Sequence, residues 1–397
     1  MRRVNKYLVL LIYLGISGCL DPFDPNVPES DQSFVVVDGI VTDQPGPYTV
    51  KISRSTSLNG DSDKVTGAEV SIEVQNGGTE TLIETRDGEY ETSTLQGEVG
   101  KSYRLNINFG GQTYQSTWET IHPSPVIDSV YYQIRTIGTT DVEEDEDVVQ
   151  FFIDSRGPDD GPRYFRYELE EVWKIGVFWP SYSDYIGNDQ VVLTTNPRHT
   201  CWKYWEPSGI NIATTAGLKS NVLSKHKIAF VGREEERFTR RYSILVKQFA
   251  LEEKEYLFWK NLKESNEDLG SIFDKQPARV LGNLKNVTNP DESVLGYFSA
   301  SGVQEERTYV KAVDVTPSLR RRPFCNPMDT LKKADFDMPE EYEETLLLAV
   351  NSGRSFFIGF YFSEIGGNVL GALLALPKCS DCTLKGGDVN EPEFWEE

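Results

Sequence analysis

The amino-acid sequence predicts a mainly β protein, in which an N-terminal β-sandwich precedes a larger β-rich domain with one or two packing helices. Between residues 34 and 120, apolar and polar residues alternate in short segments separated by Gly, Asn, Asp and Ser. Similar segments resume beyond a proline-containing stretch near residue 123, and a convincing helical stripe occurs only near residue 258. Because alternation with period two buries one face of a strand, this order favours sheets packed face to face.

The first domain is expected to contain five main strands joined by tight turns. Gly77-Gly78 and Asp87-Gly88 are turn signals of the kind that connect antiparallel strands. Short strands at this spacing are typical of an Ig-like β-sandwich, here over residues 34–120. The predicted strands occupy residues 34–41, 48–52, 68–74, 103–107 and 113–118.

The larger domain is expected to span residues 126–397, after a boundary at Ile121-His122-Pro123-Ser124-Pro125. Its acidic run at residues 141–147 is expected to be a solvated hairpin tip, because a calcium loop needs spaced oxygens and a glycine-assisted turn. The predicted strands occupy residues 130–134, 148–153, 164–173, 295–300, 308–313 and 356–362.

Two helices are predicted in this domain. Glu252-Glu253-Lys254-Glu255 places negative charge at the start of the first, which the helix dipole favours. Leu251, Phe258 and Leu262 then form one apolar stripe, and the segment ends near Lys263. A second, shorter helix is expected between Pro339 and Leu347.

The first nineteen residues have the layout of a bacterial lipoprotein signal. Arg2, Arg3 and Lys6 precede an apolar run at residues 7–16 that is too short to span a bilayer stably, and small residues then lead to Cys19. Cleavage after residue 18 would leave Cys19 as a lipid-carrying N-terminus, so we expect a lipid-anchored protein. The alternative is a fortuitous cysteine after a plain secretory signal.

Composition restricts the partners of the mature chain. Residues 19–33 form an acidic, proline-rich tether, and the whole chain carries a net charge of −22. Binding to nucleic acid is therefore not expected, because phosphates must be neutralised by cations. An acidic body suits a position just outside a membrane.

Four cysteines remain after Cys19. An even number in an exported protein predicts two disulfides among Cys201, Cys325, Cys379 and Cys382, with three pairings open. The Cys379-Ser380-Asp381-Cys382 spacing lacks the βαβ context of a redox motif. Zinc, with His199 as an extra ligand, is the weaker alternative because close-spaced ligand pairs are missing.

Residues 173–205 are rich in aromatic side chains, and they supply the candidate contacts for a ligand or partner. Trp179, Trp202 and Trp205 are the named candidates, since stacked rings bind sugars and anchor protein interfaces. The alternative is that about half of these rings pack in the core of the larger domain.

Catalytic motifs are not found. The chain has three histidines, and it lacks HExxH, GxSxG and GxGxxG. Carboxylate-only chemistry stays open because Asp and Glu are abundant, but no pair is singled out. We therefore expect a non-catalytic protein without a cofactor.

Several motifs in order resemble one family of lipoproteins. They are VVVDGIVTD (35–43), GAEV (67–70), GEY (88–90), YQS (114–116), IDSV (127–130), GSIF (270–273), GN (282–283), VLGYFSA (294–300), CSDC (379–382), GG (386–387) and PEFW (392–395). Together they resemble the Bacteroidota lipoproteins grouped as domain of unknown function 4249. The N-terminal sandwich is also similar to carboxypeptidase-regulatory-like modules.

The resemblance implies an outer-membrane lipoprotein that faces the cell surface or the periplasm. Members are often encoded beside TonB-dependent transporters, so an accessory role to such a barrel in capturing or gating a glycan or peptide cargo is expected. The alternative is an independent glycan-binding or adhesive surface lipoprotein. The family supplies no catalytic residues.

Two structural expectations follow from the motif residues. Gly282, Gly296 and Gly386-Gly387 suit backbone positions with positive φ. Phe394-Trp395 is expected to dock the C-terminus onto the body rather than to contact a ligand.

Overall fold

The computed structural model describes residues 33–55, 63–138, 145–267, 280–320, 325, 329–364 and 366–396. This part of the chain is mainly β, as the sequence predicts. The first ten strands are β1 (Val35–Thr42), β2 (Thr49–Arg54), β3 (Asp63–Lys64), β4 (Glu69–Val74), β5 (Thr79–Thr81), β6 (Ile83–Arg86), β7 (Glu89–Glu91), β8 (Ser102–Phe109), β9 (Gln112–Ser116) and β10 (Glu119–Thr120).

The central part of the chain contributes nine strands, of which β13 is the longest. They are β11 (Val126–Ile137), β12 (Glu146–Arg156), β13 (Tyr164–Gly176), β14 (Ser183–Gly187), β15 (Gln190–Leu193), β16 (Thr200–Trp205), β17 (Asn211–Thr214), β18 (Val222–Val231) and β19 (Arg241–Leu251). The remaining elements are α1 (Glu253–Glu267), β20 (Leu284–Asn286), β21 (Val294–Ser301), β22 (Val303–Lys311), β23 (Asp329–Lys332), α2 (Pro339–Asn351), β24 (Phe356–Phe362), β25 (Val369–Ala375) and α3 (Pro377–Ser380).

The N-terminal unit consists of two sheets packed on one core. One sheet has the order β21-β1-β2-β7-β6 with β3 on β2, and the other has the order β20-β9-β8-β4-β5 with β10 on β8. Alternate residues of β1 and β8 point into the shared core, which follows from the period of two along a strand. The predicted strands coincide with β1, β2, β4, β8 and β9.

Two strands from late in the chain complete these N-terminal sheets. β21 pairs in parallel with β1, and β20 pairs antiparallel with β9. Leu284, Val294 and Phe298 are accordingly buried in the core of the first unit. Sheet pairing thus crosses the boundary expected at residues 121–125, and the division into residues 34–120 and 126–397 stays a prediction.

The central unit is a second sandwich. Its sheets have the orders β11-β12-β18 and β16-β13-β19-β22, with β17 also pairing with β13. The core between them contains Phe151, Phe165, Trp173 and Tyr242. Of the acidic run, residues 145–147 lie at the start of β12 and residues 141–144 lie outside the described part.

The helices form where the sequence predicts them. α1 begins at Glu253 and carries Glu253 and Glu255 in its first turn. α2 begins at Pro339, a residue whose fixed φ suits the first turn of a helix. Among the described residues, none of the helices combines the length and the apolar character that crossing a bilayer requires.

A smaller lobe is formed by the β14-β15 hairpin, the sheet β23-β25-β24 and α2. Its core contains Tyr185, Tyr342, Leu346 and Phe357. Two disulfides hold the chain near this lobe, with Cα–Cα separations of 5.8 Å for Cys201–Cys382 and 5.9 Å for Cys325–Cys379. The two predicted disulfides are therefore present, and the cysteines of the CxxC segment each bond to a distant partner.

The expectation of positive φ at four glycines is correct for two of them. Gly296 and Gly386 have φ of 90° and 80°, as expected. Gly282 and Gly387 are not at positive φ, so that expectation is wrong for them. Glycine is needed at both positions for lack of space. A Cβ at Gly282 would lie 1.5 Å from the carbonyl oxygen of Gly296, and a Cβ at Gly387 would lie 2.5 Å from the Cβ of Cys201.

Candidate binding groove

The edge of β13 that faces β16 and β17 is interrupted at its centre. Residues 164–167 pair with β17 and residues 171–176 pair with β16, whereas the opposite edge pairs continuously with β19 over residues 164–173. The five residues that join β16 to β17 include Pro207 and Gly209 and bulge out of the sheet. Proline cannot donate to a ladder and glycine weakens a strand, which explains the bulge. Residues 168–170 therefore have no strand partner on this edge.

Leu169 is the residue whose backbone faces this gap. The Thr215 N–H donates to the Arg163 carbonyl at 2.8 Å, and the Val177 N–H donates to the His199 carbonyl at 3.0 Å. Because backbone groups alternate between the two edges of a strand, odd-numbered residues of β13 point toward β16 and β17. Within the described ranges, no backbone hydrogen bond joins Leu169 to residues 206–210. Among the described residues, its N–H and C=O thus have no backbone partner on this edge.

A groove of about 1280 Å³ opens at this gap. Two large side chains at its wall are mostly solvent-exposed, Trp205 at 51% and Phe230 at 69%. The bulge supplies Ile210, and α1 supplies Trp259 from the opposite face of the sheet. The groove therefore combines exposed aromatic surface with an unpaired stretch of backbone.

The three carboxylates that β13 contributes to the groove are paired with cations of the same protein. Arg166 lies 2.7 Å from Glu168, Arg237 lies 3.1 Å from Glu171, and the Arg307 guanidinium lies 3.0 Å from Glu170. Burial raises the pKa of Glu171, although the charge of Arg237 opposes that effect. These pairs leave much of the groove's charge internally compensated.

Side-chain amides hold the wall that carries Phe230. Asn211 donates from Nδ2 to the Ile228 carbonyl at 2.5 Å, and Gln150 donates from Nε2 to the Ala229 carbonyl at 2.7 Å. Both bonds bind β18 from neighbouring strands immediately before Phe230. The position of this exposed ring is therefore fixed by hydrogen bonds on two sides.

Two titratable rings lie beside the groove. Tyr167 and His226 have ring centroids 5.7 Å apart. Burial raises the pKa of Tyr167, while burial and the charge of Lys263 lower the pKa of His226. Both rings are thus held in their neutral forms at neutral pH.

The three tryptophans singled out in the sequence do not form one platform. Trp205 lines the groove, whereas Trp202 is buried on the other face of β16 against Val172 and Trp395. Trp179 is half-buried beside Phe178, with ring centroids 4.9 Å apart, and does not line the groove. The alternative that part of the aromatic segment packs in a core is correct for Trp173 and Trp202.

Sequence reasoning missed Phe230 and Leu169. Phe230 lies in β18, a strand with several polar residues and no second Phe, Tyr or Trp, so no aromatic cluster marked it in the sequence. The available signal for the gap opposite Leu169 was Pro207-Ser208-Gly209, a turn-forming triplet between two segments whose patterns both indicate strands. Only the pairing of both segments with β13 reveals the gap.

The four cysteines in the described part of the chain are all in disulfides, so none of them offers a free thiolate to a metal. Cys201 is bonded to Cys382, and the ring Nε2 of His199 is hydrogen-bonded to the Ser181 carbonyl. Within the described ranges, no group of three or more His, Cys, Asp or Glu is placed to hold a metal ion. The predictions of a signal peptide at residues 1–18, of lipid on Cys19 and of a tether up to residue 33 concern residues that, except for Ser33, lie outside these ranges, as does the GSIF motif at 270–273.

Comparison with known families identifies the chain. Residues 20–307 match the family described as Domain of unknown function (DUF4249). The chain belongs to this DUF4249 family. No curated protein matches the sequence. The groove, which is built from residues 150–263, lies entirely inside the DUF4249 match, whereas the disulfide-bonded C-terminal segment lies mostly beyond it.

Proposed function

We propose that the chain is a non-catalytic lipoprotein of the outer membrane that captures or gates cargo for a TonB-dependent transporter. The observation that carries the proposal is the groove at the interrupted edge of β13, which offers exposed Trp205 and Phe230 beside unpaired backbone. Concave sites with a few convergent polar groups are where proteins bind ligands.

The anchor in this proposal is lipid on Cys19. It is supported by the cationic start, the short apolar run and the small residues before Cys19. Because two or more acyl chains hold a protein durably on a membrane, Cys19→Ser should release the protein from the membrane fraction. Mass spectrometry of the natural N-terminus tests the modification, and an unmodified first residue would contradict it.

Binding without turnover is supported by the groove's electrostatics. Glu168, Glu170 and Glu171 all lie in ion pairs, so none is an isolated carboxylate poised as an acid or base. Turnover on a substrate panel that is lost with one carboxylate would contradict this part of the proposal.

The transporter partner is tested by co-purification. The full chain with a C-terminal tag is extracted in mild detergent, and a co-purifying outer-membrane barrel is sought by mass spectrometry. We expect a TonB-dependent transporter to be recovered with the lipoprotein. Recovery of the protein alone under several detergents would contradict the accessory role.

A second candidate function is an independent glycan-binding or adhesive surface protein. It is favoured by the exposure of aromatic rings in the segment singled out earlier, with Trp205 at 51%, Tyr204 at 50% and Tyr182 at 63%. A glycan array probed with the wild type and with Trp205→Ala distinguishes this candidate from the transporter accessory. A blank array removes this candidate, whereas sugar binding lost in Trp205→Ala supports it.

A further inference from the structure

We propose that the groove binds an extended peptide, one residue of which pairs with Leu169 and closes the gap in the edge of β13. This inference rests on the proposed binding function and names the class of cargo. The recognition is the addition of a short strand to a sheet edge, in which main-chain hydrogen bonds give affinity and neighbouring pockets give selectivity.

A peptide is favoured because an unpaired residue at an antiparallel edge needs one acceptor for its N–H and one donor for its C=O. In a hydrogen-bonded antiparallel pair, two opposite residues exchange both of their N–H···O=C bonds. Leu169 presents one donor and one acceptor in that arrangement, and it is one of the residues that line the groove. A peptide residue in the extended conformation offers the matching acceptor and donor at the same spacing.

The pairing residue and its two neighbours would together contact both faces of the sheet. Trp205 is opposite Glu171 in the β13–β16 register and therefore shares its face. Trp259 lies on the other face, where the Arg166 guanidinium lies 4.6 Å from its ring centroid. Because successive side chains of a strand point to opposite sides, the residue opposite Leu169 would point to the Trp205 face, and the residues before and after it would both point to the Trp259 face.

The charge pattern predicts uncharged ligands. Glu168, Glu170 and Glu171 are already bound to arginines of this chain. A charged peptide side chain would have to break one of these pairs to gain a partner from β13, whereas apolar side chains gain from covering Trp205 and Phe230.

The chain contains a matched pair of residues for the test. Tyr204 and Trp205 are adjacent on β16 and almost equally exposed, at 50% and 51%, but they point to opposite faces. Trp205→Ala removes groove surface, and Tyr204→Ala removes a similar exposed ring outside the groove. Phe230→Ala provides a second groove variant at a position with 69% exposure, where truncation should leave the fold intact.

The experiment measures binding of three probe sets to the purified full chain in detergent. The probes are N-acetylated, C-amidated heptapeptides of uncharged residues, the same peptides with N-methylated central amides, and neutral oligosaccharides. We expect the unmodified peptides to bind, with affinity reduced at least about tenfold by backbone methylation and by Trp205→Ala. Tyr204→Ala should change affinity by less than about twofold.

Several results would overturn the inference. They are the absence of peptide binding, equal binding of methylated and unmodified peptides, or equal losses in the Tyr204 and Trp205 variants. Oligosaccharide binding that disappears in both groove variants would assign the groove to sugars instead. Peptide binding without a co-purifying barrel would keep this inference and contradict only the transporter role.

Discussion

Trp202 and Trp395 pack edge to face, with ring centroids 6.2 Å apart and an interplanar angle of 81°. The first ring comes from β16 and the second from the last residue but one of the described chain, and both are buried. The Tyr309 hydroxyl also donates to the Phe394 carbonyl at 2.6 Å. The expected docking of Phe394-Trp395 onto the body is therefore confirmed, on the face of β16 that lies away from the groove.

Truncation of Trp395 should destabilise the central sandwich. Trp395→Ala removes a ring that is 8% exposed, and large aromatic truncations in a core cost about 3 kcal/mol or more. Urea unfolding followed by tryptophan fluorescence measures the loss. Val389→Ala, in the same segment at 39% exposure, is the control and should change stability by less than about 0.5 kcal/mol. Equal effects of the two changes would show that the C-terminal segment is not docked.

Of the two disulfides, Cys201–Cys382 should contribute more to stability. It joins residues 181 apart, compared with 54 for Cys325–Cys379, and the loop-closure account gives the longer loop about 1 kcal/mol more. Thermal unfolding of the two double Cys→Ala variants compares them. Non-reducing peptide mapping of the wild type checks the pairing, and a linkage between Cys379 and Cys382 would contradict the structure.

The buried carboxyl of Glu255 should make stability pH-dependent. Burial raises its pKa, opposed by hydrogen bonds from the Ser299 hydroxyl and the Trp259 indole and by the charge of Arg166. Because the folded-state pKa lies above the unfolded one, the stabilisation is complete at low pH and is lost as pH rises through the folded pKa.

Glu255→Gln should remove this dependence while keeping a side chain of the same shape. Between about pH 4 and about pH 8, the stability of the variant should rise relative to that of the wild type. Urea unfolding at several pH values measures the difference. Glu264→Gln, at an exposed position of the same helix, is the control and should show no such trend. A constant difference across this range for Glu255→Gln would refute the assignment.

The parallel pairing of β21 with β1 should depend on Gly296. Its φ is 90°, and a Cβ there would lie 1.8 Å from the Val37 carbonyl oxygen. Gly296→Ala is therefore expected to cost about 3 kcal/mol or more. Gly359→Ala, where an added Cβ meets no atom within 4 Å, is the matched control with a change below about 0.5 kcal/mol. Similar melting temperatures for the two variants would argue against the pairing of β21 with β1.

Local patterns predicted much of the fold. The alternation in β1, β4 and β8 and the stripe of α1 are short-range features, and each appears where the sequence places it. The number of disulfides also follows from composition, because an exported chain with four free cysteines tends to pair them.

Long-range relationships could not be predicted in the same way. The segment Val294–Ser301 looks like any other strand, and nothing in its residues says that it pairs with β1 some 260 positions earlier along the chain. The disulfide partners depend on the same tertiary contacts. The groove arises because β16 and β17 both pair with β13 and the residues that join them bulge out of the sheet. Leu169 therefore gives no signal until the register of β13 is known.

The most direct test of the account is residue-resolved amide hydrogen exchange along β13 in the free full chain. We expect the Leu169 amide to exchange much faster than those of Tyr167 and Glu171, which face paired strands, and we expect a bound capped peptide to slow this exchange. A Leu169 amide as protected as its neighbours without any ligand would contradict the account, because the edge of β13 would then be closed.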